Sequence, residues 1–526
     1  MAGMRRIGIL LLMISLLGVQ TVYAKDYVKC ATYFSDACPM NFWNSEHVHM
    51  EEEFTQIMQD GFNGIILVIP WREFQPSMSP ISYNERAFQM LEQVMKAAEE
   101  AGLMVYLRIG YVWDYYNTQE SCLERYRELV TDKTVRNAWL DYAKNMYQAA
   151  NRHPNFAGGF ITWEDFWNFT DLSFVDRTSS KGLEIAQKSG YVSYALEKYS
   201  IEQLSNLYEE PVREYRLPFP KPGTMAMKVF YDYYDTFLME LLEETQQVFP
   251  GLSMEVRTDA DYLSSSDGQT MYYGHQKTYE AGQASYTAMM YGIPMGFDNQ
   301  GQTVSARDAA KMTETVFDKI SKESSKPLFV EQFLFVDTTP GYEDNVQVRP
   351  DELNQYLGMS ADILKRYSMG YGIWTYQNYC DNKVYNAQFG LGDEHWRRND
   401  KTEVVYQDAN HKMLLKKGGM ISQFVYDTVP YHQPVYVEFL AECEEMAEVS
   451  VTVGRQKKSV SISENQNVTL TFHGDELSYV MWESDSEVCL DNIKVYTYIQ
   501  DGKLYDMNGQ ELGSIDAVRR INRQLS

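Results

Sequence analysis

Between residues 27 and 379 the chain alternates short apolar runs with stretches of helical periodicity. The runs are YVKCATYF (27–34), GIILVIPW (64–71), LMVYLRIGY (103–111), FAGGFITW (156–163), LSMEVRTD (252–259), QASYTAMMYG (283–292), PLFVEQFLF (327–335) and GYGIWTYQNY (370–379). Apolar residues recur at helical spacing over 83–101, 134–151, 225–248, 305–322 and 351–367. Near-continuous apolar strands separated by helices belong to a parallel sheet covered on both faces. Eight such units predict an α/β fold, a (β/α)8 TIM barrel over residues 25–405. An open doubly wound sheet is the competing arrangement, but no glycine-rich phosphate turn follows the first strand.

The connection between the fourth and fifth runs, about 165–251, is long, with helical segments near 183–209 and 225–248. It leaves from the barrel face that carries active sites, so it either walls a cleft or decorates the barrel. From about 406 the helical period disappears. PVYVEFLAECEE (434–445), EVSVTVGR (448–455), VTLTFHG (468–474), LSYVMWES (477–484) and VCLDNIKVYTY (488–498) follow at short spacing, which predicts a small all-β sandwich over 406–500. The remaining segment, 501–526, has Asn508-Gly509 between two short runs, a hairpin signal.

Residues 1–24 carry a third pattern. Arg5 and Arg6 precede an apolar run from Ile7 to Val19, and Val22-Tyr23-Ala24 closes it, so a signal peptide cut after Ala24 is expected, placing the protein outside the cytoplasm as a secreted chain. The run is short for a bilayer span. No later segment is long and apolar enough to cross a membrane.

Composition narrows the partners. A formal net charge of −26 disfavours nucleic acid and anionic membranes. Aromatic residues make up 14% of the chain, with 40 Tyr and 9 Trp, which suits both a large core and the stacking of sugar rings. Six cysteines do not make a disulfide scaffold. Cys443 and Cys489 share the all-β region and are candidates to pair; buried free thiols fit equally well. Oligomeric state leaves no mark on the sequence.

Two carboxylates interrupt apolar strands. Glu164 stands in GFITWEDFWN at the end of the fourth run, and Glu331 in LFVEQFLF within the seventh. Side chains alternate along a strand, so Phe160, Thr162 and Glu164 share one facing, and Phe329, Glu331 and Phe333 share another. Burying a carboxylate is costly unless it is paired or hydrogen-bonded. Two of them at the C-terminal ends of barrel strands fit retaining glycoside hydrolysis. There one carboxyl protonates the leaving oxygen and the other attacks the anomeric carbon, with ~5–5.5 Å between the two carboxyls. Their proximity raises the pKa of the acid while the nucleophile is ionised. The competing arrangement is structural, with both glutamates paired to Arg108 or Arg257.

With those glutamates placed after strands 4 and 7, the chain over roughly 27–400 resembles the clan A glycoside hydrolases, which include family 5 and family 42 enzymes. The resemblance implies a retaining double displacement without metal or cofactor, Glu164 as acid/base and Glu331 as nucleophile. It also implies that Tyr291 hydrogen-bonds the nucleophile and that Trp374 forms the aromatic floor under the sugar. AQFGLGDEHWR (387–397) is similar to the FGL-D stretch that often follows strand 8 in that clan. One position departs: Trp163 stands where the clan has an Asn that contacts the substrate's 2-hydroxyl. Either Asn168 takes that role or the contact is absent, and a degenerate, glycan-binding barrel used in polysaccharide export or adhesion is the alternative.

Other polar and aromatic residues fall at strand ends. Trp71 and Arg72 follow strand 2, Arg108 and Tyr111 end strand 3, and Arg257 and Asp259 end strand 5. Of these, Trp71, Arg72, Arg108 and Arg257 join Trp163, Asn168, Tyr291 and Trp374 as expected substrate-binding residues. Trp113, Trp167 and Trp396 are further rings able to stack on sugars. His47 and His49 form an HxH, but past the first strand and with no histidine partners at strands 5 and 6. There is no HExxH and no GxSxG. No metal, cofactor or serine nucleophile is therefore expected. VCLDNIKVYT is similar to the last strand of jelly-roll carbohydrate-binding modules, so the sandwich either binds glycan or supports the barrel. The expected function is hydrolysis of a poly- or oligosaccharide at β-linkages.

Overall fold

The computed structural model describes residues 26–111, 122–162, 176–256, 262–264, 270–272, 275–293, 301–340, 342–407, 410–427, 433–473 and 477–526. Eight parallel strands close into a barrel: β1 (Val28–Tyr33), β2 (Gly64–Pro70), β3 (Met104–Tyr111), β4 (Phe156–Ile161), β5 (Ser253–Val256), β6 (Thr287–Gly292), β7 (Leu328–Leu334) and β8 (Ser368–Ile373). They pair in sequence order, and β1 joins β8 to complete the ring. All eight expected runs contain a strand.

The helix layer follows the apolar periodicity. It consists of α1 (Met50–Gln59), α2 (Glu85–Glu100), α3 (Lys133–Ala150), α4 (Met227–Gln246), α5 (Gln276–Glu280), α6 (Ala306–Glu323) and α7 (Leu353–Tyr367). Side-chain caps start three of them: Asn84 accepts from Arg86 and Ala87, Asp132 from Thr134, and Ser305 from Asp308. The segment near 225–248 is thus the fourth barrel helix rather than part of an insertion. The helical stretch near 183–209 is three short helices, Ser180–Lys188, Tyr191–Lys198 and Ile201–Tyr208. Gly190, at φ 87°, breaks the first from the second, and a capping box between Ser200 and Gln203 starts the third.

The eighth helix comes from the end of the chain. After β8 the backbone builds a sandwich of two five-stranded antiparallel sheets. It then returns as α8 (Ile515–Gln524), which packs beside α7. Ile515, Val518, Ile521 and Leu525 are its buried stripe. Asn522 accepts from the Tyr371 hydroxyl at 2.6 Å and donates to the Asp60 carbonyl at 3.0 Å. Arg519 donates to the Asp60 carboxylate at 2.8 Å. α8 therefore fills the space between α7 and α1. The Asn508-Gly509 turn is present, with Tyr505 bridged to Glu511, but it leads into a helix that a hairpin-and-tail reading did not contain.

The sandwich has its own core, separate from the barrel's. It also includes strands Thr402–Gln407, Asn410–Leu415 and Met420–Asp427, ahead of the first strand expected from sequence. Phe389 and Trp396, from the FGL-D-like stretch, are buried in that core, so Trp396 is packing and not a sugar platform. In the LDN stretch, Asp491 accepts from Asn410 at 2.6 Å and Asn492 has a φ of 47°, which gives both residues structural roles. Cys443 and Cys489 are free thiols, as are Cys30, Cys38 and Cys380.

Candidate active site

The barrel interior changes character along its axis. Tyr106, Phe160, Tyr286 and Phe329 fill a buried inner cluster with Val28, Cys30, Ile66 and Ala288. Two residues further along their strands come Arg108 on β3, Thr162 just past β4, and Glu331 on β7. Alternation puts each on the same inner side as the aromatic residue before it. Burial holds the Tyr286 hydroxyl well above the usual tyrosine range, with Tyr106, Cys30 and, least, Glu331 adding to it.

Arg108 is the hub. Its guanidinium donates to Gln332 Oε1 at 2.7 Å and to Thr162 Oγ1 at 2.9 Å. It forms an ion pair with Glu255 on β5 at 3.1 Å, the two side chains being 1% and 0% exposed. The guanidinium also lies over the rings of Tyr111 and Trp374, at 5.5 and 5.3 Å from the centroids. One cation thus ties the C-terminal ends of β3, β4, β5, β7 and β8 together. Its full burial is compensated by a carboxylate and two neutral acceptors, which a lone buried charge requires.

A bulge makes room for this on β7. The pairing register of β7 shifts between Ala288 and Met290 of β6, and between Val330 and Phe333 on its own chain where it meets β8. The extra residue lets Glu331 and Gln332 both serve the interior. It also turns Phe333 outward, where it stacks on Tyr356 of α7 at 6.3 Å. Strict alternation, which grouped Phe333 with Glu331, fails at this bulge.

Trp374 immediately follows β8 and is half-buried. Its ring lies 5.7 Å from Phe34 and beside Arg108, and its peptide bond to Thr375 is cis. It is placed to form one side of the mouth.

Two of the expected site residues point elsewhere. Tyr291 donates to Thr313 Oγ1 on α6 at 3.0 Å and packs against Phe317. It faces the helix layer, because it is one residue out of phase with the inward Met290, and it does not bond Glu331. Trp71 is buried among Tyr126, Trp139 and Tyr142, with its ring N–H donated to Gln75 at 2.8 Å. It seals the helix layer outside the barrel. Arg72 is half-buried on the same short helix, Trp71–Phe74. Glu164, Trp163, Asn168, Arg257, Asp259, Trp113 and Trp167 lie outside the described residues.

Glu255, Gln332 and Thr162 were not singled out from the sequence as site residues. Glu255 carried the signal that flagged Glu331, a carboxylate inside a buried strand, in SMEV. His47 and His49 are otherwise engaged: His47 stacks on Phe42 and bonds its carbonyl at 2.7 Å, and His49 pairs with Glu52 at 2.8 Å. Among the described residues no group of His, Cys, Asp and Glu is arranged to hold a metal ion, and no helix is long and apolar enough to cross a membrane.

No family model matches the chain, and a search of curated proteins finds no match. Solved structures do resemble it. A GH5_18 from Streptomyces cattleya in complex with GlcNAc is 14% identical, covering 68% of this chain and 73% of its own, with a TM-score of 0.42. A GH5_18 from Bifidobacterium longum subsp. longum ATCC 55813 is 13% identical, covering 68% and 71%, with a TM-score of 0.41. A β-galactosidase from the psychrophilic Marinomonas ef1 is 11% identical, covering 66% and 54%, with a TM-score of 0.46. These are likenesses in outline; the barrel stands on its own strand pairing.

Proposed function

We propose that this chain is a secreted, retaining glycoside hydrolase that cleaves a β-linked poly- or oligosaccharide, with Glu331 as nucleophile and Glu164 as acid/base. One observation carries the reading. Glu331 lies buried on the inner side of β7, and its neighbour Gln332 is joined through Arg108 to Thr162, the residue from which the chain runs two positions on to Glu164. A buried carboxylate next to a polar network at the C-terminal end of a barrel is where this fold keeps its chemistry.

The Glu331 carboxylate attacks the anomeric carbon as the bond to the leaving oxygen breaks, and Glu164 gives its proton to that oxygen. A glycosyl ester on Glu331 results. Glu164, now a carboxylate, takes a proton from water; the water oxygen attacks the same carbon and releases Glu331. Trp374 supplies an apolar face for the sugar ring. Arg108 stays with Glu255 and orients the strand ends without entering the reaction.

The test is a panel of β-linked glycans with the wild type, Glu331→Gln and Glu164→Gln, with the product anomer followed by NMR. The reading expects retained configuration and loss of turnover in both variants. A variant that hydrolyses as fast as the wild type removes its residue from the role. Tight glycan binding with no turnover in the wild type supports instead the glycan-binding barrel that Trp163, in place of Asn, suggests.

A further inference from the structure

The returning chain touches the candidate site before it becomes α8. Gln500 and Ile499 pair antiparallel with Tyr379 and Cys380. Leu504 N–H donates to the Tyr376 carbonyl at 3.1 Å, and Asn378 N–H to the Tyr505 carbonyl at 2.8 Å. On the other side, Thr338 donates its hydroxyl to Gln500 Oε1 at 2.9 Å and accepts from Asp501 N–H at 3.0 Å. Residues 499–505 are therefore laced between the segment that leaves β7 and the segment that leaves β8. Gly502, at φ +78°, has no space for a side chain, since a Cβ there would sit 2.7 Å from Val336 Cγ1. The next side chain, Lys503, lies in the interior, where it is 2% exposed. Its Nζ donates to the Val336 carbonyl at 3.4 Å and to the Trp374 carbonyl at 3.5 Å.

We propose that Lys503 is a positioning residue: its ammonium holds the carbonyls of Val336 and Trp374, and so fixes from behind the ring on which the sugar stacks. This rests on the reading of Trp374 as the sugar platform. Trp374 is then held by Phe34 and the Arg108 guanidinium at its ring and by Lys503 through its main chain.

A purely structural role fits the energetics less well. Burial pushes the Lys503 ammonium down to about 8, with Asp337 and Asp501 the charges that partly offset it. The folded-state pKa lies below the unfolded one. The unfolded chain therefore binds more protons through the window from about 8 up to the ordinary lysine range, and stability rises with pH there. At neutral pH the buried charge detracts from stability, as buried charges commonly do. The two main-chain carbonyls it reaches are the geometry that gives it a positioning role.

The experiment compares the full-length wild type with Lys503→Met, which keeps the length and removes the charge. Three quantities are read: the thermal midpoint, hydrogen exchange in peptides covering 334–339 and 374–378, and kcat and KM on a glycan the wild type cleaves. The proposal expects a midpoint equal to or above the wild type's, faster exchange confined to those two segments, and KM raised roughly 10-fold with kcat changed much less. It also expects the wild-type KM to rise above pH 8 and the variant's to stay flat. Wild-type exchange rates in both segments, or a lowered midpoint with every kinetic parameter reduced together, overturn it. A wild type inert on every glycan defeats the hydrolase reading alone; the exchange comparison still decides whether Lys503 holds Trp374.

Discussion

The lower inner layer of the barrel is aromatic, with Tyr106, Phe160, Tyr286 and Phe329 in contact with small apolar side chains. Roughly 6–7 Å higher along β3, β4 and β7 the interior carries Arg108, Thr162 and Glu331 instead, with Glu255 and Gln332 attached to the same cation. The two layers share strands and burial but differ in chemistry, and a bulge on β7 brings Gln332 into the upper one. The lower one gains from removing large rings from water. The upper one has to offset the desolvation of Arg108, which it does with the Glu255 ion pair and the hydrogen bonds to Gln332 and Thr162. A fold that needed only a filled barrel has no reason to make the second arrangement. Its position at the C-terminal mouth is the reason to assign it function.

Substitutions can break this contrast. The largest effect is expected from Glu331→Gln, which is nearly isosteric. It should lower the hydrolysis rate on the order of 10⁴-fold, about 5 kcal/mol of barrier, with little change in the thermal midpoint. A variant that lost stability and activity in proportion would place Glu331 in the structural layer after all.

Next come the stability effects. Arg108→Met removes the ion-pair partner of the buried Glu255 and should cost about 3–5 kcal/mol of folding free energy, measured by denaturant titration. Phe329→Ala, in the lower layer, should cost a similar ~3–5 kcal/mol through its cavity. The pair separates in the double variant Arg108→Met/Glu255→Leu. Replacing both charges with apolar side chains should restore stability while activity stays lost, because the network that orients Gln332 and Thr162 is gone. Failure to recover stability would mean that the ion pair holds the fold itself.

The smallest contrast is between two tryptophans. Trp374→Ala should raise KM about 10-fold while costing little stability. Trp71→Phe should do the reverse, lowering stability by about 1–2 kcal/mol and leaving KM alone, because Trp71 loses its bond to Gln75 and its packing on Trp139. A KM effect at Trp71 would return it to the substrate site.

How much of this was legible in the sequence depended on periodicity. The eight strands and most helices were, because apolar runs of strand length alternate with helical spacing. Glu331 was visible as a charge inside an apolar strand, and Glu255 in SMEV by the same signal. Tyr291 was misplaced because the resemblance matched it by its position at the end of strand 6, which does not fix the phase of its side chain; the structure turns it to Thr313. Phe333 was misplaced because a bulge has no signature in LFVEQFLF. The last helix was hidden by distance. Its stripe of Ile515, Val518, Ile521 and Leu525 is readable, but nothing local says that it completes a barrel begun about 490 residues earlier. Lys503 is the same case, a lysine whose burial depends on chain that returns from another domain.

The central claim, that Glu331 is the nucleophile of a retaining hydrolase, is tested most directly by trapping. The full-length protein would be incubated with 2-deoxy-2-fluoro glycosides carrying good leaving groups, digested, and the adduct located by mass spectrometry. The account predicts one fluoroglycosyl group per chain, carried on the peptide containing Glu331 and absent in Glu331→Gln. An adduct on another carboxylate, or turnover with inverted configuration and no adduct, would contradict it.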